Sequence, residues 1–252
     1  MYKSKVVLEP IAHKYHHIET GEIFTSVTTV ISSIEHEFDT EAVATAISKQ
    51  SDLDPKKNKD YIGMSKDRLI AYWQEINDTA NAYGTHVHEV LEKYLLAKKW
   101  FFPDNDFDVR VCRAFDELEL DEGIQVHPEL ALFSEEYKLA GTSDLVIDID
   151  DVFFDVGDFK TNKVFNFYSQ YKQTLKQPFS HLQDCQFVVY TLQLSVYAYM
   201  YEVSTGRKCR QLYALYFDKK TEKFSKINLM YMKHEAEKLL KHHKYQMELA
   251  GK

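Results

Sequence analysis

Apolar and polar positions change rhythm several times along the chain. Through residues 1–31 the runs are short and β-branched: KVVL is an apolar strand candidate, and Thr20-Gly21 marks a turn before EIFTSVTTVI. Residues 35–48 carry helical spacing. Residues 49–66 are polar, contain Pro55 and Gly63, and predict a mobile loop. From about Leu69 to Lys99 apolar residues recur at helical intervals among good helix formers. Gly84 interrupts that stretch and is expected to divide it into two helices, with Thr85 near the start of the second. A further helix fits roughly 104–122 and stops near Gly123.

The rhythm then shortens. Val126–Phe133, Thr142–Asp148 and Val152–Phe159 read as strands, separated by EEYKLAG and by the turn-like DIDD. Residues 161–183 are polar and aromatic, include Pro178, and suggest an ordered loop. Asp184–Glu202 reads as a buried helix, Gln211–Phe217 and Lys223–Leu229 as a hairpin across DKKT, and 231–249 as a charged closing helix. Helices alternating with strand groups imply an α/β or α+β core around a central mixed sheet. There is no internal repeat and no low-complexity tract.

Composition narrows the class. The 252 residues are 44% hydrophobic and 28% charged, enough to bury a core without disulfides or a structural metal. The 17 Tyr and 16 Phe are, by default, packing residues. A net charge of −8 argues against a protein that coats nucleic acid, since such binding draws on Lys and Arg, but leaves room for one local groove. Cys112, Cys185 and Cys209 are scattered and form no zinc or iron–sulfur pattern. No apolar leader and no run of about 18 apolar residues is present, so a cytoplasmic protein with no membrane partner is expected.

Four groups of residues could carry chemistry. Asp144, in AGTSDLVIDI, enters an apolar strand; alone it is as well explained as a turn acid. In VFFDVGDFKT, Asp158 and Lys160 are two apart and share one strand face, with Phe159 on the other. They form either a surface ion pair or a metal carboxylate beside a cation that holds water or offsets phosphate charge. If the preceding strand brings Asp144 alongside, two acids and a lysine meet the needs of Mg²⁺-assisted phosphodiester hydrolysis. In GTHVHEVLEKYL, His88 and Glu92 share a helix face, whereas a lone helical His is usually structural. An HExxH zinc site is ruled out because position 92 is Glu. Tyr190, Gln193, Tyr197 and Tyr201 recur at helical spacing, either as a polar-tipped core stripe or as an edge facing a catalytic centre.

GTHVH, Glu129, AGTSD, DFKT and QLSVY, in that order, resemble the RecB-like branch of the PD-(D/E)XK nuclease superfamily. The fifteen-residue interval from Glu129 to Asp144 (144 − 129) and the N-terminal Ser26-Val27-Thr28-Thr29 are similar to small phage-type exonucleases and the mitochondrial genome maintenance exonuclease. The resemblance covers about residues 13–202. It implies a restriction-endonuclease-like α/β core with an N-terminal β/α extension. The chain then reads as a single nuclease domain, with 1–66 as extension, 67–230 as core and 231–252 as C-terminal helix.

The resemblance also implies roles. Asp144 and Asp158 become metal carboxylates and Lys160 the residue that positions the attacking water. The Phe159 backbone carbonyl and His88 become further ligands. Gln193 and Tyr197 become a final motif near the DNA, with Glu129 and Glu92 in support, and Thr161, Ser26 and Thr28 contacting phosphate. One or two Mg²⁺ or Mn²⁺ ions are implied, without the iron–sulfur cluster of four-cysteine members and without the motor of helicase-linked ones. The implied partners are single-stranded DNA or duplex ends, with recombination or replication proteins beyond them, in a bacterial host cytoplasm if the gene is a phage's. Lys163, Lys172 and Lys176 of the 161–183 loop either follow a phosphate backbone or decorate a solvated loop. The function expected is a metal-dependent DNA exonuclease in DNA recombination, repair or processing. The alternatives are a structure-selective endonuclease and a nuclease-fold module that binds DNA without cutting.

Overall fold

Five consecutive residues of the N-terminal region, Val27-Thr28-Thr29-Val30-Ile31, are β-branched, yet in the computed structural model they are helical. The structure describes residues 2–9, 12, 14–49, 60–97, 102–121, 123–169 and 171–251. Strands β1 (Val6–Glu9), β2 (Lys14–His17) and β3 (Ile23–Ser26) come first, followed at once by α1 (Val27–Ile34). Ser26 makes the switch: its hydroxyl accepts the Thr29 N–H at 3.0 Å and so caps the first turn. Val27, Val30, Ile31 and Ile34 then fall on one buried face at helical spacing, and burial overrides strand propensity. The strand expected through residue 31 therefore ends at Ser26. The helix expected over 35–48 begins only at Thr40.

The chain divides into two compact units, Met1–His36 with Val87–Lys252, and Glu37–His86. The smaller holds α2 (Thr40–Lys49) and the first part of α3 (Lys66–Ala97). Its aromatic residues cluster, with Trp73 edge-on to Phe38 and Tyr61, and Lys66 pairs with Glu41 at 2.7 Å. Most of the loop expected at 49–66, residues 50–59, lies outside the described residues. Helix α3 runs unbroken through Gly84, where a split was expected. A helical glycine costs only about 1 kcal/mol, which the strong formers around it offset.

The larger unit is built on an eight-stranded sheet. After α4 (Asp106–Asp116) come β4 (Gln125–Ser134), β5 (Leu139–Asp148), β6 (Phe153–Lys160), α5 (Gln186–Thr205), β7 (Lys208–Asp218), β8 (Lys223–Leu229) and α6 (Lys233–Leu249). The strand order is β1-β2-β3-β5-β6-β7-β8, with β4 paired to β5. The β3–β5 and β6–β7 pairs are parallel and the rest antiparallel, giving the mixed α/β sheet the alternation of elements implied. α4 stops six residues earlier than expected; Glu119 already has a positive φ. β5 begins three residues earlier, absorbing LAG into the strand.

A single large apolar cluster joins α1, α5 and α6 to one sheet face, with Leu192, Val196, Leu239, Leu240, Val156 and Phe154 among its members. On the other face Phe115 of α4 packs edge-on against Phe159 at 6.0 Å. The two faces of β6 are thus occupied as its alternation requires.

β5 changes partner along one edge. Its first residues, Leu139 and Ala140, pair with Thr25 and Ser26 of β3. Its last four, Leu145–Asp148, pair with β6. Between them, at residues 141–144, β3 and β6 diverge and leave a fork. Neighbouring strands that separate this way leave a crevice beyond the strand ends where ligands can lodge.

Candidate metal centre

The fork holds a cavity of about 470 Å³, lined by Tyr15, Ser26–Thr29, His88, Gly141, Thr142, Asp144, Asp158, Lys160, Gln193 and Tyr197. The expected residues Ser26, Thr28, His88, Asp144, Asp158, Lys160, Gln193 and Tyr197 meet here. Glu129, Phe159, Thr161 and Glu92 do not line it. A larger groove of about 900 Å³ lies along α3, α4 and β4. Its described charged groups are all carboxylates, Asp116, Glu119 and Asp121, so it would repel a phosphate chain.

Sheet register aligns the acids. Glu129 lies opposite Asp144 in the β4–β5 ladder, although that one pair is interrupted. One step beyond the last β5–β6 pair, Leu145 with Gly157, Asp144 comes level with Asp158. The Asp144 carboxylate fills the gap there, accepting the Phe159 N–H at 2.7 Å where a backbone carbonyl would otherwise serve. Glu129 interrupts the other ladder because its φ is +47°, a left-handed conformation that a residue with a Cβ adopts at a cost of about 1–2 kcal/mol.

His88, Glu129 and Asp144 each present a ligand atom within 4.8 Å of the others. His88 Nε2 lies 3.1 Å from the Phe159 carbonyl, which can only accept, so Nε2 carries the proton. Burial, reinforced by Lys160 and opposed by Asp158, holds the His88 pKa below its ordinary value and favours the neutral ring. The unprotonated Nδ1 then faces Asp144 Oδ2 at 3.5 Å and Glu129 Oε1 at 3.9 Å. Three potential ligand atoms thus converge, the ring nitrogen among them without a proton. Imidazole and carboxylate oxygen form a mixed donor set that suits a divalent cation such as Mn²⁺, and Mg²⁺ through the oxygens.

The electrostatics record the same conflict. Burial, then the charges of Glu92 and Asp158, push the Glu129 pKa up to about 7. Burial, with Asp158 and Glu129 adding to it, holds Asp144 well above the carboxylate range, against the pull of Lys160 and the Phe159 N–H. Burial works against the Lys160 charge, yet Asp158 and Asp144 outweigh it and keep the ammonium pKa above its usual value. Lys160 Nζ pairs with Asp158 Oδ2 and lies 4.3 Å from the centre of the Tyr190 ring. This pair is buried rather than superficial: 3% of Asp158 is exposed.

The cavity has further walls. Gln193 donates to the Tyr197 hydroxyl at 3.2 Å, and burial raises the Tyr197 pKa well above normal, keeping that hydroxyl protonated. A Cβ at Gly141 would lie 2.7 Å from Tyr197 Cε1, so only glycine lets the ring stand here. Sequence reasoning missed Tyr15, whose hydroxyl lies 3.0 Å from Thr142 Oγ1, and it missed Thr142 itself. Thr142 had a signal, its place in AGTSD. Tyr15 had none, since 127 residues separate the two. Ser26 Oγ contacts the hydroxyls of Thr28 at 2.9 Å and Thr29 at 2.7 Å around the α1 N-terminus.

No family model and no curated protein matches the chain. Among solved structures it is similar to a Eubacterium rectale protein provisionally named an exonuclease, at 15% identity and a TM-score of 0.37, over 89% of this chain and 78% of that one. It is also similar to the protein SSO0001, at 14% identity and a TM-score of 0.30, over 63% and 68% of the two chains. Likeness this low carries no weight for activity, which rests on the residues themselves. Among the described residues no helix is long and apolar enough to cross a membrane.

Proposed function

We propose that the chain is a Mg²⁺- or Mn²⁺-dependent deoxyribonuclease that acts as an exonuclease, a single nuclease domain whose 1–66 stretch supplies Ser26 and Thr28 to the site. The observation that carries this reading is the convergence of His88 Nδ1, Glu129 and Asp144, three potential ligands, beside the Lys160 ammonium paired with buried Asp158. His88, Glu129 and Asp144 would hold the ion, with Asp158 and the second lone pair of the Phe159 carbonyl within the same centre. A bound divalent cation would supply Lewis-acid charge at a phosphodiester. Lys160, held charged by two carboxylates, can donate but not accept a proton. It therefore orients an attacking water or offsets charge on a phosphate oxygen, and is not the base. The α1 N-terminus, with Ser26, Thr28 and Thr29, offers N–H and hydroxyl donors to a neighbouring phosphate. Gln193 and Tyr197 wall the cavity and donate from its α5 side.

The test is digestion of end-labelled single- and double-stranded DNA with Mg²⁺ and with Mn²⁺. Asp158→Asn and Lys160→Met should each lower cleavage by about 100-fold or more. Wild-type rates in both variants would refute the assignment. Covalently closed circular DNA should stay intact; its cleavage would make the enzyme an endonuclease.

A further inference from the structure

The segment that leaves the centre, residues 161–169 and 171–185, is anchored in its backbone but turns three of its aromatic rings outward. Asn166 N–H donates to Gln186 Oε1 at 2.9 Å, and Ser169 N–H to Gln183 Oε1 at 3.1 Å. Thr174 bridges Gln183, and Leu175 and Phe179 are sunk in the core. Against that anchored background Phe167 is 46%, Tyr168 76% and Tyr171 79% exposed. Tyr168 and Tyr171 bury little of their rings on folding, and exposed rings grouped on one anchored segment fit a binding surface.

The rings lead to the acid–lysine centre. Lys160 lies over Tyr190; Tyr190 is 5.6 Å from Phe165, and Phe165 is 5.1 Å from Phe167, beside Tyr168. The charge of the segment is opposite to that of the chain. Residues 161–185 hold three lysines and one aspartate, a net of +2, within a protein of −8. Lys163 and Lys172 are exposed.

From this combination we propose that residues 161–185 form a base-stacking platform, with Phe167, Tyr168 and Tyr171 carrying the unpaired bases of a single DNA strand towards Lys160. Ring faces accept any base, and the lysines follow the backbone. A duplex hides its base faces, so the platform selects single strands. Tyrosine has two side-chain torsions and a pinned backbone here, so little freedom is lost on binding. The inference rests on the nuclease reading of the site, and its test separates the two.

Binding of fluorescein-labelled 20-mer oligothymidylate, a 20-base-pair duplex and a 20-mer abasic strand is measured by anisotropy in EDTA. The full chain is compared with Tyr168→Ala, Tyr171→Ala, their double variant and the double Tyr→Phe variant. Each alanine should weaken oligothymidylate binding about fivefold or more, the double variant further. The phenylalanine variant should bind as wild type does, and duplex and abasic affinities should not move. Hydrolysis of bis(p-nitrophenyl) phosphate with Mn²⁺, a substrate with no base, should be equal in all variants. Unchanged oligothymidylate affinity in the double alanine variant, or an abasic strand bound as tightly as oligothymidylate, overturns the platform. If no variant hydrolyses the ester or DNA, the nuclease reading fails while the binding series still decides the platform.

Discussion

Glu129→Gln isolates the electrostatic conflict at the centre. The native carboxyl has a pKa of about 7 against an ordinary 4.5. At 1.36 kcal/mol per unit, ionising it in the folded protein costs up to about 3 kcal/mol. Close to a third of its side chain is exposed, so solvent screening reduces this to about 1–2 kcal/mol. The sign follows from linkage. The pKa is raised on folding, so the stability tied to the neutral acid is fully present below about pH 4.5 and is lost as pH rises through about 7. Without metal, wild type should lose about 2–8 °C of Tm between pH 5 and pH 8.5 relative to Glu129→Gln, at about 2–4 °C per kcal/mol for a chain of this size. Added Mn²⁺ should reverse the loss, because a cation favours the ionised form. Saturation at about 100 Kd adds about 2.7 kcal/mol. The Mn²⁺ shift should therefore be larger at pH 8.5 than at pH 5 in wild type, and smaller in the variant. Melting curves over that pH range, with EDTA and with Mn²⁺, decide it. Parallel pH profiles with equal metal shifts would refute the reasoning.

Other residues give independent checks. Gly141→Ala should cost about 1–3 kcal/mol in urea denaturation, since the new Cβ would meet the buried Tyr197 ring at 2.7 Å and Val27 Cγ2 at 3.0 Å; a neutral result would mean the ring can move aside. Lys160→Met leaves Asp158 buried and unpaired and should lose about 3–5 kcal/mol, most of it recovered in the Asp158→Asn/Lys160→Met double variant; additive losses would argue against a coupled pair. Ser26→Ala should lower stability by about 1 kcal/mol through the lost cap and raise KM for DNA more than it lowers kcat; an unchanged KM would remove Ser26 from phosphate binding.

How much of this was legible in the sequence varied with the range of the interaction. Period-two alternation put Asp158 and Lys160 on one face of β6 and Phe159 on the other, and both contacts follow it. The i, i+4 pairing of Gln193 with Tyr197 was equally local. α1 was misread because five β-branched residues outvote a single capping serine in any propensity argument. The fork was invisible, since it depends on β5 exchanging β3 for β6 partway along an edge, a property of the whole sheet. Glu129 entered as a supporting acid; only its left-handed φ and cross-strand position place it among the donors. The buried Asp148, which accepts from Tyr201 at 2.9 Å and approaches His127 at 3.2 Å, drew no attention because its partners are 53 and 21 residues away.

The bond from the Phe159 N–H to Asp144 bears on how inactive descendants of this chain would be recognised. Asp144 serves the sheet as well as the site: removing its acceptor orphans a buried N–H, which costs about 1–3 kcal/mol. On the proposed reading, selection for folding alone would retain an acceptor at that position even where cleavage was lost, so an acid there is poor evidence of activity by itself. Glu129 is the opposite case. Among the described residues its side chain makes no hydrogen bond, its backbone is strained, and its charge is opposed by its neighbours. On the proposed reading, a lineage released from metal binding would gain stability by discarding it. If the proposed metal site is right, Glu129 is the position whose loss would report that metal binding has gone.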